Sequence, residues 1–228
     1  MMEFSKTTPH RACRDARRAS SGFSLVEMLA VILVISILMT VGVMGIKNLS
    51  GGKSTQAAVA SSEGLFEEAR LIAVGRGTTA RLLVNTDQDK KNTPEYLRRL
   101  LVAFKDPENG QWQLANRGYL MPEGIYFSQE FSKKDFAGAQ SQLDTESMTF
   151  PQNDYSGNYS YYEFNSEGIC TSPGASFIVG SGARPPSGDP RVTGSSRDFS
   201  GFVVWRNGHT SKFRSPKQMK LPTTLEKF

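Results

Sequence analysis

The chain has 228 residues, 38% of them apolar and 21% charged, with a formal net charge of +5. That is enough chain and enough apolar content for one domain with its own core, and it excludes a disordered polyelectrolyte. Two cysteines exclude a disulfide-rich scaffold, and a charge this modest, most of it in the first 22 residues, says little about partners.

In chain order, residues 1–22 read as a removable leader. Lys6, Arg11, Arg14, Arg17 and Arg18 stand there against Glu3 and Asp15, a basic excess that should hold this end in the cytoplasm. Gly22-Phe23-Ser24-Leu25-Val26-Glu27 follows, and then Met28 to Ile46 passes without a charge. As a helix that run covers about 28 Å, close to the hydrocarbon core of a bilayer. An ordinary secretory signal would be cut after the apolar run, where Val41-Gly42-Val43-Met44-Gly45 offers only a poor small-x-small site. An uncleaved anchor accounts for the run but leaves Glu27 unexplained.

Glycine, aromatic, acid and apolar run in this register resemble the class III signal of type IV prepilins and pseudopilins. The resemblance implies that a prepilin peptidase cuts after Gly22 and N-methylates Phe23, and that Glu27, the fifth residue of the mature chain, serves filament assembly. It also implies a helix over 23–74, with 28–46 as the membrane span and 53–74 as an amphipathic stem. A globular β-rich head would follow over 75–213, with a basic tail over 214–228.

Gly42, Gly45 and Gly51-Gly52 each weaken such a helix by about 1 kcal/mol relative to Ala. A plainer reading makes Gly51-Gly52 a linker. Beyond it, Ala58, Ser62, Leu65, Ala69 and Ile72 repeat at helical spacing and predict the buried face of the stem, which Gly75 and Gly77 end. Strands are expected over Thr78–Asn85, Tyr96–Lys105, Gln111–Ala115, Ile125–Phe127, Tyr159–Phe164 and Ile169–Val179, with a short helix over Tyr96–Phe104 as the alternative for the second. Residues 129–145 read as a polar excursion and 180–198 as a mobile loop. Phe202–Arg206 and His209–Phe213, around Asn207-Gly208, give the clearest hairpin.

The fold class expected is therefore α+β, a pilin-like long N-terminal helix packed on an antiparallel sheet head. The stem end Glu68–Ala73, the strand Thr79–Val84, the turn Phe164–Gly168 and the hairpin Gly201–Phe213 resemble the minor pseudopilin H family (GspH/FimT type). The arrangement is also similar, more loosely, to verrucomicrobial cassette pilin-like proteins. A single cysteine is left beyond the leader, Cys170, so the disulfide common in major pilins is not expected, and Cys170 reads as a small buried residue.

Little in the head points to catalysis. Gly51-Gly52-Lys53-Ser54 lacks the glycine five residues before Gly52 that a phosphate-binding loop needs, since Lys47 stands there. Asp87-Gln88-Asp89 reads as a loop tip rather than a cation site. His209 and Cys170 make no triad or zinc set. Tyr155, Tyr159, Tyr161, Tyr162 and Phe164 read as sheet core. No enzyme, no metal and no cofactor are expected. Arg206, Lys212, Arg214, Lys217 and Lys220 form a basic run. It reads as a solvated tail after Phe213 whose removal leaves the head folded, or as a DNA-binding surface of a minor pilin acting in uptake.

The function expected is a minor pseudopilin in a type II secretion-like system. Its partners would be the prepilin peptidase, other pilins and the inner membrane, with the head in the periplasm.

Overall fold

The computed structural model of the protein describes residues 24–228 except 187, 194, 223, 224 and 226, and the side chains of 39–53 and 153 also lie outside the described set. The leader and the Gly22-Phe23 junction are therefore outside the described residues. Helix α1 spans Leu25–Arg76, and the chain divides at Gly45/Ile46 into two compact units that are taken separately.

In the first unit the backbone from Leu25 is helical, and the large apolar side chains up to Leu38 are all exposed, from 45% at Ile35 to 81% at Leu25. Among the described residues no helix is long and apolar enough to cross a membrane. The expected span 28–46 reaches into 39–46, where side chains lie outside the described set.

The second unit begins at Ile46. The backbone is helical at Gly51 and Gly52, so the linker reading of this pair does not hold. The buried stripe is Thr55, Val59, Ser62, Phe66, Ala69 and Ala73, joined by Ala58. Steps of three and four residues place these on one helix face. The expected face is thus corrected by one residue: Leu65 and Ile72 lie at its margin, only partly buried, and Phe66 fills its centre. Small side chains on either side of Phe66 let the sheets approach the helix closely. The helix stops at Gly77, whose φ of +62° is open to glycine. There Gly77 N–H donates to Val74 O at 3.2 Å and Thr78 N–H to Ala73 O at 3.0 Å, the paired bonds that close a helix C-terminus.

Eleven strands follow among the described residues: β1 Ala80–Asn85, β2 Arg99–Lys105, β3 Trp112–Leu114, β4 Tyr119–Leu120, β5 Ile125–Phe127, β6 Thr145–Met148, β7 Gly157–Phe164, β8 Ala175–Ala183, β9 Arg191–Val192, β10 Phe199–Val204 and β11 Thr210–Lys212. They form two antiparallel sheets rather than one. The first runs β3-β2-β1-β7-β6 with β4 also on β2; the second runs β11-β10-β8-β5 with β9 on β8. The turn at Asn165–Gly168 forms as expected, with Gly168 N–H donating to Asn165 O at 2.8 Å. The strands on its two sides, β7 and β8, nevertheless belong to different sheets, and beside the turn itself Phe164 forms a bridge with Cys170. Strand β6, at the end of the polar excursion 129–145 and beyond it, has no counterpart among the expected strands, and the expected loop 180–198 carries the end of β8, β9 and a short 3₁₀ turn at Ser196–Asp198.

Alternation along the first sheet buries both of its faces. Leu82, Val84, Leu100, Val102, Tyr162 and Phe164 pack toward α1. Leu83, Leu101, Ala103 and Tyr159 pack on the other side with Met148 and Phe150. Phe66 ties the helix to both sheets. Its ring lies 4.8 Å from Tyr162 in the first sheet, and 5.7 Å and 5.0 Å from Phe177 and Phe202 in the second.

The segment after Phe213 is not a solvated tail. Pro216–Met219 forms a 3₁₀ turn with Met219 buried, and Leu221 and Leu225 pack on the core. The Phe228 ring is buried against Tyr126 (5.4 Å) and Phe199 (6.0 Å). Apolar residues spaced through a basic segment anchor it, which a count of its charges does not register.

Candidate processing and assembly site

Of the three N-terminal site residues, Glu27 alone lies among the described residues. It stands in the first turn of α1, exposed, and its N–H donates to Ser24 O at 3.0 Å, while Met28 N–H donates to the same oxygen at 3.1 Å. Ser24 thus opens the helix, and Glu27 complements the positive end of the helix dipole. A carboxylate there has a local electrostatic reason. Its position at the head of an exposed apolar helix also leaves it facing whatever covers that helix.

All five basic residues expected to meet DNA are exposed, and the side chains of Lys212 and Lys220 have partners within the fold. The Lys212 amine pairs with Glu63 on α1 at 2.7 Å. Thr210 Oγ1 donates to the same carboxylate at 3.1 Å, so β11 is buttoned to the helix. The Lys220 amine lies 5.0 Å over the Phe136 ring and donates to Phe136 O at 3.2 Å. Arg206 lies in the β10–β11 turn, where its carbonyl accepts from Cys170 N–H. Arg214 N–H donates to Gln218 Oε1 at 2.7 Å, and Lys217 is in the 3₁₀ turn. This geometry gives the DNA reading no support.

Asp87 caps a 3₁₀ turn by accepting from Asp89 N–H at 3.1 Å, so the Asp87-Gln88-Asp89 stretch is a cap, and no metal-holding cluster occurs among the described residues. Cys170 is buried, and its thiol donates to Ser172 O at 3.4 Å. Burial pushes that thiol up to about 11. The Tyr162 hydroxyl, fully buried, donates to Ser176 O at 2.7 Å, and burial raises its pKa well above the usual value. Tyr159, Tyr162 and Phe164 are core residues, as the sequence predicts.

One polar cluster escaped the sequence reading. The Arg81 guanidinium lies between the rings of Tyr161 (4.0 Å) and Trp112 (4.4 Å). It bonds Glu163 at 2.7 Å and Glu146 at 2.8 Å. Cation and carboxylates offset one another beneath partial cover, which clasps β1, β6 and β7 together. The alternation of β1 and β7 carries the signal, because Arg81 falls directly opposite Glu163.

The N-terminal stretch is the part of the chain that matches a known family. The family described as "prokaryotic N-terminal methylation motif" matches residues 17–43. The chain carries that methylation motif. The match frames Gly22, Phe23 and Glu27 together with most of the apolar run, and it supports a pilin-like or pseudopilin family. No curated protein matches the chain in sequence. Among solved structures, the minor pseudopilin EpsH from the type II secretion system of Vibrio cholerae aligns at 14% identity, covering 72% of this chain and 95% of that one, with a TM-score of 0.42. The type IV minor pilin FimU of Pseudomonas aeruginosa aligns at 10% identity over 72% of this chain and 96% of that one, with a TM-score of 0.38. Scores this low leave the family reading to the motif.

Proposed function

We propose that the chain is a non-catalytic pilin-like subunit, a minor pseudopilin, stored in the bacterial inner membrane and assembled into a periplasmic filament that serves type II secretion-like protein export. The observation that carries this reading is the methylation motif over 17–43, which sets Gly22, Phe23, Glu27 and the apolar run in one register. The prepilin peptidase cuts after Gly22 and methylates Phe23, and the N-terminus lies in the cytoplasm with the head in the periplasm. The exposed apolar side chains from Leu25 to Leu38 support it, because a helix apolar on all sides needs lipid or neighbouring helices around it.

In this account cleavage creates an α-amine on Phe23, four residues before Glu27 in the sequence. A helix rises about 6 Å over four residues, so a neighbour shifted by about that much would present its amine to this carboxylate. In a low-dielectric layer the attraction is strong but partly offset by desolvation, and its main effect is to fix axial register. Glu27→Gln should still insert and be cleaved, yet enter sheared filaments poorly. Normal amounts of the variant in purified filaments would overturn the register account.

A further inference from the structure

The helix-side face of the first sheet changes character along its length. Leu82 and Tyr162 are opposite one another on β1 and β7, and Val84 is opposite Ser160. Side chains two apart share a face. The apolar surface of Leu82, Val84, Tyr162 and Phe164 therefore continues into Thr86, Ser160 and Asn158. Pairing with β6 extends it, since Thr145 is opposite Ser160 and Ser147 opposite Asn158. A sheet face that is core at one end becomes hydroxyl and amide at the other. Ser160 is buried with its hydroxyl 3.4 Å from that of Thr86, which fixes the start of this polar floor.

The floor lies beneath a cavity of about 250 Å³, lined by Thr86, Thr145, Ser147 and Asn158 and walled by Gln88 and Gln129. The Gln88 amide is held by donating to the Tyr96 hydroxyl at 2.7 Å, which leaves its carbonyl oxygen for a ligand. Among the described residues no hydrogen bond occupies the side chains of Gln129, Thr145, Ser147 or Asn158. Glu146 touches the rim, but its carboxylate is taken by Arg81. Gln129 also lines two further cavities, of about 410 Å³ and about 430 Å³, and Phe228 lines both of these. Among the described residues, the charged side chains lining those two are Glu130 and Asp189 with Arg191 and Lys227.

We propose that this cavity system binds a neutral glycan chain. Primary amides and hydroxyls each offer both donors and acceptors, which matches sugar hydroxyls that need both. A polyanion is disfavoured because the inner cavity has no cation among its described residues to neutralise phosphates. An extended peptide is disfavoured because the inner cavity offers no apolar pocket for its side chains. This site is independent of the filament reading, since none of its residues lies in the methylation motif.

The test uses the full chain in lipid nanodiscs, which avoids sugar-headed detergents, titrated calorimetrically with cellohexaose, chitohexaose and maltohexaose. At least one of the three should bind, with an affinity indifferent to salt because no charge pairing is involved. Gln129→Ala and, separately, Ser147→Trp should each weaken it by about tenfold or more while leaving the melting temperature unchanged. Should Gln129→Ala unfold, Ser147→Trp at an exposed position carries the test. Failure of all three sugars, binding unaffected by either folded variant, or binding of a Ser/Asn-rich peptide in place of the sugars would overturn the proposal.

Discussion

Gly208, in the β10–β11 turn, sits so close to Arg70 of α1 that a β-carbon there would lie 2.4 Å from Arg70 Cδ. Its φ is +79°, a conformation that L side chains adopt at a cost. Turn and helix are thereby locked together with Arg70 wedged between them. Gly208→Ala should lower stability by about 1–3 kcal/mol, read from the denaturant midpoint. Adding Arg70→Ala should recover the part due to the clash and leave the backbone part, a coupling that a double-mutant cycle measures. An unchanged midpoint in Gly208→Ala would show that the turn does not bear on the helix.

Cys170 gives a pH dependence with a definite sign. Burial is the largest cause raising its thiol from 9.0 to about 11, and the charge of Glu163 adds to it. The folded chain holds this proton where the unfolded chain has lost it, so stability is present in full below pH 9.0 and falls between 9.0 and about 11. Tyr162, raised by its burial, acts in the same direction at higher pH. Denaturant midpoints across that window should fall, and less steeply in Cys170→Ala. Iodoacetamide at neutral pH should leave the native thiol unmodified and label it on unfolding.

The C-terminal segment is structural. Met219 and Phe228 are buried, and Phe228 packs on Tyr126 and Phe199. Removing residues 214–228 should destabilise the second unit by about 3 kcal/mol or more, the scale of one lost buried aromatic. Equal midpoints for the truncated and full chains would return the segment to the solvated tail that its charges suggest.

The sequence makes most strands of the head legible, because β1, β2, β5, β7 and the β10–β11 hairpin are apolar runs bounded by turn residues. It does not say that β7 and β8 part into different sheets, since that choice is made by pairing with β1 and β10 far along the chain. Strand β6, Thr-Glu-Ser-Met, is exposed at three of its four positions and has no apolar alternation to betray it; pairing with β7 makes it a strand. On the helix, Ala58, Ser62 and Ala69 fit either of two adjacent columns. Only the bulk of Phe66, read against four aromatic partners, selects the right one. The N-terminal methylation motif is legible in the sequence because it is a linear pattern. The polar cavity around Gln129 is not, because its residues meet only through the fold.

The central claim is that the chain is a prepilin peptidase substrate that matures at Gly22-Phe23. Mass spectrometry of the N-terminal peptide, recovered from cells with an active prepilin peptidase, tests it directly. The account predicts a chain that begins at Phe23 and carries one methyl group on its α-amine. An intact leader, or an N-terminus beyond Met44, would contradict it.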